Sequence, residues 1–214
     1  MKPTFLRLYA LLIAYVLNVG NVNAQEQSQP KLFDGLYGGI EISMQNIYGG
    51  AFLDNVDVLQ EDTRAIGSII AGWRKQFDKG LVIGIEGQFG LTDGNLRREQ
   101  YEGLVNIDYA NSSQIALGIK FGYALGVEKD WLLFGYTTIA RRSFDITVSA
   151  PSGTFSQEDI QGILQYGVGI EKRWKNGWGV RATAGTVYTD FGDLVTNIDV
   201  TGKIDTALAL TYQF

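Results

Sequence analysis

The residues of this sequence that could do chemistry are its charged side chains, because it contains no histidine and no cysteine. Glu171 and Arg181 lie on either side of the short turn Lys175-Asn176-Gly177, and Arg74 and Glu86 flank a second such turn. Counting outward from the turns places Glu171 directly opposite Arg181, within side-chain reach. Arg74 falls diagonal to Glu86, which long side chains also span. The spacing predicts two ion pairs that act as a plug or gate.

Catalysis is not expected from these residues. Serines and carboxylates are present, but a serine without a neighbouring base is a weak nucleophile near neutral pH. The glycines of Gly84-x-x-Gly87-x-x-Gly90 do not open a helix, so they do not predict a phosphate-binding loop. The sequence therefore predicts a protein that is no enzyme and has no cofactor and no metal site.

The first 24 residues have the three parts of a secretory signal peptide. Lys2 and Arg7 precede the apolar run Leu8 to Val19, and Val22-Asn23-Ala24 fits a cleavage site. The apolar run is shorter than the roughly 20 residues that a membrane-spanning helix needs. Removing residues 1–24 leaves 16 basic against 23 acidic residues, a net charge of −7. An acidic chain of this kind is not expected to bind nucleic acid.

The rest of the chain alternates between apolar and polar or small residues, as half-buried strands do. In Gln114–Leu125, for example, the odd positions are all large and apolar, and the even ones are small, polar or charged. The pattern predicts eight strands: Leu36–Ile47, Ala65–Phe77, Leu81–Leu91, Gln114–Leu125, Trp131–Phe144, Gly162–Trp174, Trp178–Tyr188 and Lys203–Phe214.

The connections between these strands alternate between short and long. Three are tight turns with the residues that such turns favour: Asp78-Lys79-Gly80, Gly126 to Asp130, and Lys175-Asn176-Gly177. Four are longer polar stretches, at 49–63, 92–108, 145–160 and 189–202. This layout predicts an all-β fold, an eight-stranded antiparallel transmembrane barrel with short periplasmic turns and longer extracellular loops. The barrel should occupy residues 35–214, after a short periplasmic segment at 25–34.

A soluble barrel has the same alternation turned inside out, so the apolar face must be assigned. The polar face combines glycines with nine charged residues, which suits a narrow lumen filled by side chains. These residues are Glu41, Arg74, Glu86, Lys120, Glu171, Arg173, Arg181, Lys203 and Asp205. The apolar face is therefore expected to contact lipid.

Aromatic residues support this assignment. All four tryptophans, Trp73, Trp131, Trp174 and Trp178, stand near the tight turns, which predicts an aromatic girdle at the periplasmic membrane interface. A soluble sandwich with core tryptophans is the alternative. Leu210, Tyr212 and Phe214 alternate at the end of the sequence. They resemble the C-terminal signal that barrel-assembly machinery recognises in outer-membrane proteins.

Residues 162–192 resemble the penultimate hairpin of the small outer-membrane β-barrel family, often called opacity-like or "porin family". The resemblance rests on Gly167-Val168-Gly169-Ile170-Glu171, on Trp174, Trp178 and Arg181, and on Asp190-Phe191-Gly192. Residues 183–185 depart from the charged or aromatic stretch common in the family. The resemblance implies a location in the bacterial outer membrane, with membrane lipid, lipopolysaccharide and the assembly machinery as partners.

Three functions remain open at this point. The favoured one is a structural or surface barrel with at most small conductance, because a wide pore needs about 16 strands. A narrow channel for ions or small solutes is the second. The third is an adhesin or ligand-binding protein that meets an extracellular ligand through its loops.

Overall fold

The computed structural model of the chain describes residues 31–53, 56–92, 96–100, 105–151, 153–188 and 204–214. The predicted signal peptide at 1–24 and the predicted loop at 189–202 lie outside the described residues. Nine strands form one antiparallel sheet in the described part. They are Gly35–Leu53 (β1), Val56–Gln76 (β2), Leu81–Thr92 (β3), Leu96–Gln100 (β4), Val105–Leu125 (β5), Trp131–Ala150 (β6), Gly153–Arg173 (β7), Trp178–Tyr188 (β8) and Asp205–Gln213 (β9).

Eight of these strands close into a barrel. β1 pairs with both β2 and β9, and β3 pairs with β5, which joins the two edges of the sheet. The short β4 pairs only with the first residues of β5. The eight-stranded antiparallel barrel predicted from the alternation is therefore confirmed. No helix in the described ranges is long and apolar enough to cross a bilayer.

The three predicted tight turns all lie at one end of the barrel, which we call the turn end. Gly80 and Gly177 have φ angles of 96° and 89°, a backbone conformation that L side chains rarely adopt. Their amide N–H groups donate to the carbonyls of Phe77 and Trp174 and close the turns. Glycine at these positions thus determines where one strand ends and the next begins.

The two walls of the barrel have opposite compositions. Large apolar side chains cover the outside, including Ile42 and Leu117, which are 65% and 66% exposed. The inside holds buried polar and charged side chains, among them Arg142, Arg173 and Glu171, each 1% exposed. The arrangement is the reverse of a soluble protein core, and it agrees with the predicted direction of the apolar face.

The long connections differ from the prediction. We expected loops at 49–63 and 145–160, yet β1 continues to Leu53 and β2 resumes at Val56, while β6 and β7 are separated only by residues 151–152. Residues 92–108 likewise contain β4 and the start of β5. Polar and charged residues in these stretches favour loops, although Ile146 and Val148 still alternate with Asp145, Thr147 and Ser149 in β6.

The last predicted strand begins at Lys203, which lies outside the described residues, and β9 is described from Asp205.

Candidate functional site

The lumen is the candidate site, because the charged residues of the inner wall meet there. A central cluster contains Glu41, Glu86, Lys120 and Arg181, each from a different strand. Arg181 Nη1 lies 2.6 Å from Glu86 Oε2, and its Nη2 lies 2.6 Å from Glu41 Oε2. Lys120 Nζ is 2.7 Å from the same Glu86 oxygen. Two carboxylates and two cations thus neutralise each other across the barrel axis.

Neutral side chains hold this central cluster in place. The Tyr37 hydroxyl donates to Glu86 Oε2 at 2.7 Å, and Gln88 Nε2 donates to Glu41 Oε1 at 2.9 Å. An ideal Cβ on Gly72 would lie 2.7 Å from the Tyr37 ring. Any side chain at Gly72 would therefore push the tyrosine away from Glu86.

A second, turn-end cluster lies between the central cluster and the tight turns. Arg74 binds Glu171 through two bonds, Nη1 to Oε2 at 2.9 Å and Nη2 to Oε1 at 3.1 Å. Arg173 also donates to Glu171 and, at 2.9 Å, to Thr211 Oγ1. A paired, two-pronged geometry of this kind gives strong and specific charge-assisted hydrogen bonds.

At the far end of the lumen, Arg142 and Asp205 are hydrogen-bonded to amide groups. Arg142 Nη2 donates to Gln45 Oε1 at 2.5 Å and to Gln114 Oε1 at 2.7 Å. Asp205 Oδ1 accepts from the backbone N and the side-chain Nδ2 of Asn46, at 2.9 and 3.0 Å. Between this end and the central cluster is a cavity of about 50 Å³. That volume accommodates a few water molecules.

The charged residues that the sequence singles out lie in the lumen, and their ion pairs differ from the predicted ones. The strand register places Glu171 opposite Arg181, and Glu86 opposite Gly72, two residues from Arg74. The side chains nevertheless pair across the lumen: Arg74 binds Glu171, and Arg181 binds Glu86 and Glu41. Counting residues along one hairpin predicts only pairs between its two strands. It takes no account of side chains on other strands, which closure of the barrel brings close together. The role of these residues as a plug or gate stays a prediction.

One contributor to the lumen was missed altogether. Phe33 precedes β1 and is fully buried in the turn end, where it packs with Val82, Leu132 and Phe134. The sequence predicts only a short periplasmic segment there. An isolated aromatic residue before the first strand follows no alternation and gave no signal.

Comparison with known proteins identifies the fold family. Residues 12–214 match the family model for the outer membrane protein beta-barrel domain. The chain belongs to this family. Among proteins of curated function, none matches it.

Several solved structures are similar to this outer-membrane barrel. Ail, the attachment invasion locus protein of Yersinia pestis, is 16% identical, with 85% of this chain and 99% of Ail covered and a TM-score of 0.45. Neisserial surface protein A is 10% identical over 85% of this chain and 98% of its own, with a TM-score of 0.46. A major outer membrane protein of Thermus thermophilus is 13% identical over 84% and 99%, with a TM-score of 0.46. Similarities this low carry no argument about function.

The four tryptophans of this outer-membrane barrel lie on the outer wall near the turn end. Trp73, Trp131, Trp174 and Trp178 are all between 42% and 46% exposed. Lys172 Nζ lies 5.0 Å from the centre of the Trp131 ring, a cation–π contact. Aromatic rings and lysines at one level suit the boundary between lipid tails and headgroups. Their role as a girdle stays a prediction.

The predicted C-terminal signal also lies on the outer wall. Tyr212 packs edge-on between Trp178 and Phe214, with ring centroids 5.2 and 5.4 Å away. Leu210 is 41% exposed and Phe214 80%. Three apolar side chains are thus presented together on the wall beside the turn end.

The described part of the barrel contains no group of three or more His, Cys, Asp or Glu that could hold a metal ion. The charged residues of the lumen are occupied with each other and with neutral neighbours.

Proposed function

We propose that the protein is a structural or surface-exposed barrel of the bacterial outer membrane, with a closed lumen, at most small conductance and no catalytic role. The central cluster is the observation that supports this proposal. Arg181 is 2% exposed and bridges Glu41 and Glu86 across the lumen. Eight strands leave an interior that side chains can fill, and here they do so with mutually neutralising charges.

Opening a path through the lumen would require the residues of the central cluster to separate. A charge left without its partner in a low-dielectric interior is costly, typically about 3–5 kcal/mol for one broken pair. The central cluster contains three such contacts, so its separated state would be rare. This arrangement supports the proposed closed lumen.

Planar-bilayer recording tests the proposal. The wild-type barrel should show small conductance steps or none, and Arg181→Ala should raise the conductance by removing the bridge. Arg141→Ala is the matched control, because Arg141 is the exposed arginine of the outer wall next to Arg142. Large, stable steps in the wild type would contradict a closed lumen.

A second candidate, binding at the cell surface, is favoured by the extended hairpins. β1 pairs with β9 only as far as Met44, and the stretch from 45 to 53 extends about 30 Å further. The chain has no cysteine, so single introduced thiols can report exposure. A membrane-impermeant thiol reagent on intact cells should label Ser156→Cys in β7 and spare Asn176→Cys in a tight turn. The opposite labelling pattern would reverse the proposed orientation.

Delivery to the outer membrane is part of the same proposal, through cleavage of residues 1–24 and insertion among membrane lipid and lipopolysaccharide. The protein should fractionate with the outer membrane and show heat-modifiable migration. A soluble mature chain in the periplasm would contradict this location.

We propose that Leu210, Tyr212 and Phe214 form the signal for barrel-assembly machinery. Phe214→Ser should lower the amount of assembled barrel, whereas Ile204→Ser, at a similarly exposed position before β9, should not. Gln213 is unsuitable as a control because it accepts from Arg74 Nε and donates to the Leu36 carbonyl. Equal assembly of the two serine variants would remove Phe214 from the signal.

A further inference from the structure

The segment at 31–34, just before β1, enters the turn end of the lumen. Phe33 is 0% exposed, and its backbone N–H donates to Gln76 Oε1 at 2.9 Å. Its ring packs against lumen-facing apolar residues from three strands. These are Val82, Ala124, Leu132 and Phe134. The segment therefore fills the lumen below the turn-end cluster.

The Phe33 ring also covers two guanidinium groups. The Cζ atoms of Arg74 and Arg173 lie 4.9 and 5.7 Å from the ring centroid, distances at which a cation is attracted to an aromatic face. Both arginines share one carboxylate, that of Glu171. Within the described residues, this cluster has two positive charges and one negative charge. The ring thus stands where a counter-anion would otherwise be favoured.

Two ion pairs also hold the segment, and they are weaker than its packing. Lys31 Nζ lies 2.6 Å from Asp78 Oδ1, and Lys75 Nζ lies 3.0 Å from Asp34 Oδ2. Both pairs are at the rim, with Asp78 81% exposed and Lys75 47% exposed. Exposed pairs of this kind contribute little and are screened by salt. Gln213 Nε2 also donates to the Asp34 carbonyl at 3.1 Å, and none of these contacts is part of the strand pairing.

We propose that the segment at 31–34 is a releasable stopper, and that its withdrawal opens a chamber that admits small anions to Arg74 and Arg173. The inference rests on the proposed closed lumen, since it adds a second closure in series with the central cluster. The chamber is the site, and a small anion is the ligand class that its excess positive charge selects.

Single-cysteine labelling of the purified barrel tests the stopper. Ala124→Cys places a thiol beside Phe33, and Ala116→Cys places one in a separate buried cluster of the lumen, with Ala140 and Ile163. Adding Phe33→Ala should accelerate labelling of Ala124→Cys by at least about tenfold, equivalent to an opening free energy lower by about 1.4 kcal/mol. Labelling of Ala116→Cys should not change. A negatively charged thiol reagent should react several-fold faster than a positively charged one of the same size.

A milder variant guards against a folding defect in Phe33→Ala. Asp78→Asn keeps Phe33 and removes the ion pair with Lys31, so it should accelerate labelling of Ala124→Cys by a smaller factor. High salt should produce the same acceleration in the wild-type background and little further change in Asp78→Asn.

Three results would overturn the proposal. The first is fast labelling of Ala124→Cys while Phe33 is present, and the second is equal acceleration at Ala116→Cys. The third, preference for the cationic reagent, would overturn the anion chamber.

Conductance separates this proposal from the previous one: Phe33→Ala should still conduct poorly through the intact central cluster. Large steps in that variant would contradict the closed central cluster and leave the stopper standing.

Discussion

The two ends of the lumen stabilise their buried charged side chains in different ways. From the centre to the turn end, seven charged side chains join in direct ion pairs: Glu41, Arg74, Glu86, Lys120, Glu171, Arg173 and Arg181. At the far end, Arg142 is bound by two glutamines, and Asp205 is bound by Asn46. Both ends bury charge, but the direct ion pairs among the described lumen residues lie in the first, whereas Arg142 and Asp205 attract each other without direct contact.

The difference determines how each end responds to loss of one partner. An amide that loses a charged neighbour can turn toward water or another amide, because it has both donors and acceptors. A buried carboxylate that loses its arginine remains charged in a poor solvent. We therefore expect the turn-end half to tolerate substitution less well than the far end.

The largest effect should come from Arg181→Ala. The change leaves Glu41 without an ion pair and Glu86 with Lys120 alone, so the free energy of unfolding should fall by about 3–5 kcal/mol. Urea unfolding in lipid vesicles, followed by tryptophan fluorescence, measures this. The double variant with Glu41→Gln should recover part of the loss, because it removes the unpaired carboxylate. Failure of that recovery would mean that lost packing, and not charge, explains the effect.

A smaller effect is expected from Arg142→Met at the far end. Its hydrogen-bond partners are two glutamines that can pair with each other or with water, and Asp205 loses only an attraction without direct contact, so the cost should be about 1–3 kcal/mol. The same unfolding assay allows a direct comparison with Arg181→Ala. A loss as large as that of Arg181→Ala would erase the distinction between the two ends.

How far the sequence predicts this site depends on the range of the contact. The turn at 175–177 sets the register of β7 and β8, so Glu171 and Arg181 could be placed opposite each other by counting. Alternation of period two also places both side chains on the inner wall. Local rules were sufficient for these features, because each depends on one hairpin.

Contacts across the lumen were beyond such rules. Glu41 and Arg181 are 140 positions apart, and their approach depends on how the whole sheet curls and closes. Phe33 lies outside the alternating pattern, so its burial is decided by the shape of the turn end. The strand extensions past Ile47 and Phe144 contain polar and charged residues that favour loops. For the contacts of Glu41 and Phe33, the missing information was the three-dimensional closure of the barrel.

The smallest effect on stability should come from the ion pair of Lys31 and Asp78, which lies at the rim and is exposed to water. The ion-paired side chains of Arg74 and Glu171 are 5% and 1% exposed, against 33% and 81% for Lys31 and Asp78. A hydrogen bond from Lys31, together with its charge, holds the pKa of Asp78 below its usual value. Because the folded pKa is the lower one, the pair stabilises the protein above about pH 4, the ordinary range for an aspartate. The stabilisation is lost as the pH falls through the folded pKa.

Asp78→Asn should therefore be slightly less stable than the wild type at pH 7, and the two unfolding midpoints should converge in acid or in high salt. A gap that persists in acid would assign the effect of Asp78→Asn to the turn backbone and remove the rim pair from the comparison.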